Sequence, residues 1–474
     1  MAVGDQITAI ADGDYTRSVL GERIRIYRND WEDLLSAELA KQFVSETWDR
    51  IRLMLDTSQN IFRRIIREIC TVYKEGLKRE LVNATEGPGS EPLDVPRYTE
   101  ILSQMDFDWK MAEAQRLSKA AWVTFLRPRV LEDSGEMRLE IITPDIAHIE
   151  LNQEDPLKMD GFGYRVNGKD KKGQQIECWV WYTEDQIRYL DSTGKEIENP
   201  FSDDLDTTNP YGVIPVVPYF GTAPVLGFWD LNWNYDAVRS NYIIGVLNTY
   251  MNYLVKTQSF KQVVFSGQVG PAVLSAISDP LYPFVLPQGS TAATLDLNTQ
   301  LAAIDQVIRG KISAIANNYG ISNENFTITG DIASGYSLRV ANRALEEIRA
   351  FDKQVAWKTE KELFDLIRLM NNMSSGEAIP ETVELKWNPG EIEYPPTMAE
   401  EQSRWEFEFK FGIRNQIDYL MKEDPELSRD DAMEQLQQVK DENAQVKPGR
   451  SVLETIFGGE KEEAVIPFQK KEEA

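Results

Sequence analysis

One histidine, two cysteines and 77 acidic residues bound the chemistry open to this chain. His148 is the only histidine, so a Ser-His-Asp or Cys-His arrangement would have to be built on it. It stands between Ile146 and Ile149 in a β-rich run, which reads as a strand histidine satisfied by a backbone partner. Neither Cys70, on a helical face, nor Cys178, in a β-run, has the context of a nucleophile. The two thiols are too few and too far apart for a disulfide framework or a thiolate zinc site, a usage typical of intracellular proteins. No G-x-x-x-x-G-K-[ST] loop exists to cradle phosphates, so nucleotide hydrolysis lacks its usual support. Carboxylates remain, and acids such as Glu184 near Trp179 and Trp181 could in principle form a hydrolase pair. In so acidic a chain that proximity is expected by chance. Glu423-Asp424, Asp430-Asp431 and Asp441-Glu442 likewise read as helix termini and solvated faces. No cofactor, metal site or catalytic residue is expected.

The elements that would position any site are those of a folded, strongly acidic protein. The 474 residues are 42% hydrophobic and carry a formal charge of −26, with 51 basic residues and no long basic run. Such a surface repels phosphate backbones except where a local basic patch dominates. The first residues have neither the basic nor the apolar stretch of a signal peptide, and no apolar run approaches the roughly 20 residues needed to span a bilayer. A soluble protein without membrane contact is expected.

Periodicity divides the chain into four stretches. Residues 17–126 are expected to be helical, with Trp31, Leu34, Leu35, Leu39 and Phe43 in helical step, Asp56-Thr57-Ser58 offering cap side chains, and one helix over 98–120. From about 121 to 224, short β-rich runs between Asp-Ser-Gly, Asn-Gly-Lys and Ser-Thr-Gly turns predict an antiparallel sheet. A long helix over 231–259 carries Val238, Tyr242, Val246, Tyr250 and Leu254 on one stripe, then a small β/α module, then a second rod with Leu297, Leu301, Ile304, Ile308, Ile312 and Ile315 in step. After a turn-rich loop, 336–373 reads as one very long helix. The last stretch opens with a strand over 382–387 and continues as small helices. Thr397 with Glu400 and Ser428 with Asp431 have capping-box spacing, and Gly412 is placed to end the first of these helices. Trp405, Phe407, Phe409 and Phe411 alternate with polar residues, a strand period inside a segment read as helix. After Gln445 the composition turns to Glu, Lys, Gly and Pro, a tail that orders only against a neighbour.

The order of these segments and their local wording resemble a tailed-bacteriophage portal protein, most similar to the family typified by the portal of a long-tailed Bacillus phage. The resemblance is carried by Asn234-Tyr235-Asp236-Ala237-Val238-Arg239-Ser240, by Leu286-Pro287-Gln288-Gly289, and by Asn318-Tyr319-Gly320-Ile321. It continues through Ala333-Ser334-Gly335-Tyr336-Ser337-Leu338 and the stretch from Gly412-Ile413 to Asp424-Pro425-Glu426-Leu427-Ser428. It covers 226–445 and extends more weakly to the whole chain.

The resemblance implies a mainly α protein with an α+β wing, in the portal fold of wing, stem, clip and crown, assembled as a ring. It implies a wing over 1–225, stem helices over 226–259 and 296–319, and a clip over 260–295. A tunnel loop over 320–335, a long wing helix and return strand over 336–394, a crown over 395–446 and a tail over 447–474 complete the division. The ring, dodecameric in such proteins, would stand at one capsid vertex of the virion, assembled in the host cytoplasm, and pass double-stranded DNA during packaging and ejection. Its implied partners are further copies of itself, the large terminase subunit, the major capsid protein and scaffold, and a head-tail adaptor. Glu324, Asn325, Phe326, Thr327, Thr329, Asp331 and Ser334 would line the tunnel, and Gln268, Val269, Gln288 and Ser290 would meet terminase and adaptor at the clip. Twelve copies would carry roughly −310, which disfavours adhesion of phosphates wherever acids face a bore. The rival readings are another virion component, such as an adaptor or capsid-associated protein, and an acid-pair hydrolase.

Overall fold

The structure is a computed structural model that describes residues 15–74, 77–84, 91–131, 134–201, 206–225, 227–258, 262–266, 291–295, 298–322, 343–374, 377–389, 398–423 and 427–445. It divides into two units, one reaching to residue 393 and a smaller one beyond it.

The larger unit opens with helices α1 (Tyr15–Tyr27), α2 (Glu32–Ala40), α3 (Ser45–Ile51) and α4 (Ile61–Ile69). The cap expected from Asp56-Thr57-Ser58 lies further on: the Asn60 side chain accepts from Arg63 N, while Asp56 Oδ1 accepts from the Ser58 backbone and hydroxyl. Strand β1 (Leu77–Asn83) interrupts the region expected to be helical throughout. It is specified by pairing rather than by local pattern, since it runs antiparallel to β12 (Val383–Pro389), with Leu81 opposite Leu385. The single helix expected over 98–120 is two, α5 (Pro96–Gln104) and α6 (Phe107–Ala121). Asp106, at φ 49°, turns the chain between them.

The expected antiparallel sheet is two sheets. Strands β2 (Val123–Val130), β3 (Met137–Ile142) and β9 (Val217–Phe220) form one in the order β3-β2-β9. Strands β4 (Ala147–Leu151), β5 (Met159–Lys169), β6 (Gln175–Tyr182), β7 (Ile187–Leu190) and β8 (Glu196–Ile197) form the other as a meander. Phe162, Tyr164, Val180 and Tyr182 bury one face of this meander against Phe125 and Phe228. On the other face the Trp181 ring lies over Gly161 and Gly163, where an added Cβ would come within 2.5 and 2.4 Å of it. His148 is half-buried in β4, with its ring 5.7 Å from that of Trp181.

Then come α7 (Tyr235–Gln258), β10 (Gln262–Ser266), β11 (Thr291–Leu295), α8 (Asn298–Asn318) and α9 (Arg343–Ser374). The 32 residues of α9 run about 48 Å at 1.5 Å per residue. Its burial begins at Arg349, and two acids sit in its buried stripe. Glu360 receives a bidentate Arg79 at 2.7 and 3.0 Å, and Asp352 receives Lys119 at 2.7 Å. All four side chains are at most 7% exposed. These pairs tie α9 to β1 and α6 at two points two turns apart. Burial raises the Asp352 carboxyl above its usual value, and Lys119 offsets only part of that rise. A raised folded value means that the carboxyl's contribution is complete below the unfolded value and falls away as pH climbs through the folded one. Asp352 is therefore not among the groups whose protonation drives acid unfolding.

The smaller unit comprises α10 (Met398–Lys410), α11 (Gln416–Glu423) and α12 (Arg429–Gln445). The alternating aromatics are helical. A spacing of two on a helix sets Trp405 with Phe409 and Phe407 with Phe411 on opposite sides, each pair one turn apart. Trp405 is buried against Phe409 and Tyr419, at 5.4 and 4.9 Å between ring centroids, while the tilted rings of Phe407 and Phe411 meet at 4.5 Å on the exposed side. Gly412, at φ 66°, ends α10, with Ile413 N donating to Glu408 O at 2.9 Å. Ser428 caps α12 by accepting from Asp431 N at 3.2 Å and donating to that residue's carboxylate at 2.6 Å. Thr397 lies outside the described residues.

Removing one member of a buried ion pair strands the other, whereas an apolar replacement of both restores a matched interior. Lys119→Met and Asp352→Leu are each expected to cost about 3–5 kcal/mol, and the double variant to return within about 1 kcal/mol of the parent or exceed it. Urea denaturation of the four chains measures this; additive losses would contradict it.

Candidate functional site

The helices that periodicity marked as rods form a hairpin closed at both ends. The 24 residues of α7 span about 36 Å and the 21 of α8 about 32 Å, and the two pack on each other. The helix opens at Tyr235 rather than the expected Leu231. Beyond their far ends β10 and β11 pair antiparallel, Gln262 opposite Leu295. At the near end the segments bearing the family wording meet. The Tyr319 hydroxyl donates to Asp236 Oδ1 at 2.7 Å and lies 2.9 Å from Asn234 Oδ1, and Asn318 Nδ2 donates to Asp236 Oδ2 at 3.4 Å. Burial first, then the Asp236 carboxylate, pushes the Tyr319 phenol up, so it stays a donor. Gly320, at φ 66°, closes α8, with Ile321 N donating to Ala316 O at 3.0 Å and the Ile321 side chain buried.

Successive residues turn 100° around a helix, which gives α7 three sides. On the first, Ala237 and Ile244 join Ile308, Ile315 and Ala316 of α8 in one buried cluster. The second side is polar although it faces inward. Asn241 Oδ1 accepts from Phe62 N at 3.2 Å, Thr249 Oγ1 accepts from Asp56 N at 3.1 Å, and Asn252 Nδ2 donates to Asp56 Oδ2 at 3.1 Å. They meet Asp56 in the irregular segment before α4 and the Phe62 N–H in the first turn of α4, neither of which has a helical acceptor of its own. Gly245 lets α2 approach beside them, since a Cβ there would stand 2.8 Å from the Trp31 ring and 3.1 Å from Leu35.

The third side is open. Between α7 and α2 runs a groove of about 610 Å³. Tyr235, Val238, Tyr242 and Val246 of α7 wall it with Leu34 and Ala37 of α2. Tyr235 is 54% exposed. Glu22, Glu38, Lys41 and Arg239 border it; Tyr242 donates to Glu22 at 2.6 Å, and Lys41 pairs with Glu38 at 2.8 Å. The stripe of Val238, Tyr242 and Val246 was legible from spacing; its second wall was not. The signal that could have located α2 is the mid-helix glycine at 245, which marks a close approach.

The sequence-predicted contact residues, Glu324, Asn325, Phe326, Thr327, Thr329, Asp331 and Ser334 in the loop and Gln268, Val269, Gln288 and Ser290 in the clip, lie outside the described residues. Among the described residues, no group of three or more His, Cys, Asp or Glu side chains could hold a metal, and no helix is long and apolar enough to cross a membrane.

Gly245→Ala gains at most about 1 kcal/mol of helix propensity but forces Trp31 away, and overpacking of this kind costs about 1–3 kcal/mol. A net loss of stability in denaturant unfolding is expected; an unchanged or raised midpoint would show that α2 is not seated on α7 at this point.

No family model matches the chain, and no curated protein matches it. Among solved structures it is similar to a chain of the neck of an empty gene transfer agent (GTA) particle computed with C6 symmetry, with a TM-score of 0.41, 12% identity, and 77% of this chain and 91% of that one covered. It is also similar to a chain of the native GTA virion, with a TM-score of 0.40, 11% identity, and 78% and 92% covered. A third is the neck of the native GTA particle computed with C12 symmetry, with a TM-score of 0.41, 12% identity, and 76% and 88% covered.

Proposed function

We propose that this chain is the subunit of a portal-type ring at one vertex of a phage-like capsid, through which double-stranded DNA enters during packaging and leaves at ejection. The observation that carries the reading is the α7–β10–β11–α8 hairpin, a stave fastened at both ends whose outward side is an apolar groove left open in the single chain. An identical neighbour is the partner always at hand to fill such a groove, and a contact between unlike surfaces of identical copies closes into a ring when its rotation allows.

On this reading α7 and α8 are the stem, and residues 260–295 are the clip that presents Gln268, Val269, Gln288 and Ser290 to the large terminase subunit and later to the head-tail adaptor. Residues 320–335 enter the bore, with Glu324 and Asp331 turned to the DNA. Residues 1–225 and 336–394 form the wing, which meets the major capsid protein and scaffold, and 395–446 form the crown. Acids in the bore keep the duplex from adhering, and screening over about 8 Å confines that effect to the residues that line it. The acid-pair hydrolase gains no support from the buried carboxylates, because Glu360 and Asp352 are closed by Arg79 and Lys119.

Imaging of the purified full chain along its axis, with a mass measurement, is expected to give closed rings of about twelve copies around a bore. A particle that stays monomeric at high concentration and with magnesium would refute the reading. Rings of Glu324→Lys, Asp331→Lys chains are expected to assemble normally and to retain duplex DNA in proportion to falling salt, whereas unmodified rings do not.

A further inference from the structure

The segment 228–234, which leads into α7, has no helix or strand of its own and is strapped down by hydrogen bonds to buried groups around it. The Arg23 side chain of α1 donates to Leu231 O, and the indole of Trp122, the residue after α6, donates to Phe228 O at 2.7 Å. Two further straps converge on one atom: Trp233 Nε1, at 2.8 Å, and Asn234 Nδ2, at 2.5 Å, both donate to Lys119 O. The side chain of the same lysine reaches Asp352 of α9 at 2.7 Å. Asn234 carries the contacts onward, since its Oδ1 lies 2.9 Å from the Tyr319 hydroxyl, which donates to Asp236 at 2.7 Å. One residue in the last turn of α6 thus stands between α9 and the closed end of the α7–α8 hairpin. Helix α9 touches that end once more, where a Cβ on Gly320 would stand 2.7 Å from Ala344.

The backbone is strained at the same place. Among the described residues four that are not glycine have positive φ, and two of them, Trp122 at 72° and Asn234 at 55°, belong to this joint. The other two, Asn29 and Asp106, turn the chain between consecutive helices. Asparagine tolerates the left-handed region, but a tryptophan there is an outlier that persists only where its surroundings over-determine it. They do so here. Besides the indole bond to Phe228, Trp122 O accepts from Gly221 N at 2.6 Å, and the ring meets Phe220 and Trp233 edge-on at 6.0 and 5.4 Å. Trp233 therefore holds the strained residue with its ring and Lys119 with its N–H. Contacts that share one strained residue fail together, because loss of the first lets the strain favour loss of the rest.

We infer that Lys119 is the joint that makes α9 and the closed end of the α7–α8 hairpin open and move as one cooperative unit, its side chain holding the one and its carbonyl the other. The joint is built within one chain, so it stands or falls apart from the ring reading. In a portal-type ring it would tie the long wing helix to the stem, and a displacement of either would be felt by the other.

Hydrogen exchange of the full chain, read by mass spectrometry, tests this. Asp352→Asn keeps the size of the side chain and removes the charge that holds Lys119. It is expected to speed exchange at least about tenfold over 234–242 and 314–322, on the far side of Lys119, while β6 keeps the parent's rate. Coupling is reciprocal, so Tyr319→Phe, which removes a single oxygen at the hairpin, is expected to speed exchange over 349–356 by about threefold, and it serves alone should Asp352→Asn not fold. Trp233→Phe with Asn234→Gly removes both donors to the Lys119 carbonyl, while keeping a ring against Trp122 and a residue at ease at φ 55°. In that background each effect is expected to shrink below about twofold. Unchanged exchange across the joint in either single variant overturns the inference, as does a rise shared equally by β6, which reports global unfolding. Effects that persist in full without the two donors would route the coupling through Ala344 and overturn the assignment to Lys119.

Discussion

A helix as long as α7 has three sides to cover, and one chain covers two of them. The side toward α4 carries asparagine and threonine because it meets an irregular segment and the first turn of a helix, and each backbone N–H left unmet there would cost about 1–3 kcal/mol. That polar stripe fixes the rotation of the helix. Turning α7 by one residue would swing Asn241 and Thr249 through 100° and leave Phe62 N and Asp56 N without acceptors. Val238 belongs to the buried cluster, and Tyr242 and Val246 pack against it, Tyr242 with its ring 5.9 Å from that of Trp31, so the groove is lined by the outer edge of this packed stripe. The apolar stripe that periodicity reveals is thus a consequence of a polar one that periodicity passes over.

Helix α9 is placed by a different means. Its two buried acids are matched by cations from separate elements, Arg79 on β1 and Lys119 on α6, so only one axial position of the helix satisfies both. Buried pairs contribute little net stability compared with an apolar interior, but they penalise every other register. The chain between α8 and α9 therefore departs from one fixed point, the Tyr319–Asp236 contact, and returns to another, the Asp352–Lys119 pair.

Much of this was legible in the residues. The 3.6-residue step of Leu301, Ile304, Ile308, Ile312 and Ile315 marked α8 to within two residues at either end, and the β-runs at Met137–Ile142, Ala147–Leu151 and Ile187–Leu190 coincide with strands. What escaped has a common physical cause: it is decided by partners distant in sequence. Strand β1 exists because β12 comes to pair with it some 300 residues later, and the split of the β-region into two sheets depends on β9 returning to β2. The buried acids left a trace, since Asp352 and Glu360 fall in the apolar step that runs from Leu345 and Ile348 to Leu363 and Ile367. A carboxylate in such a stripe announces a buried cation without saying which. The groove left only Gly245 as its sign. The residues named for DNA, terminase and adaptor contact came from family wording alone and lie outside the described residues.

Net charge and assembly then pull in opposite directions. Copies at −26 repel one another, yet the proposed conduit needs that acidity to keep DNA from sticking. Screening reconciles the two, because at physiological salt a charge acts over about 8 Å, a quarter of the length of α8 or less. Each acid then matters only to what it touches, and the sum over the chain decides solubility rather than contact. What assembly requires is a short range in which cations of one copy face carboxylates of the next.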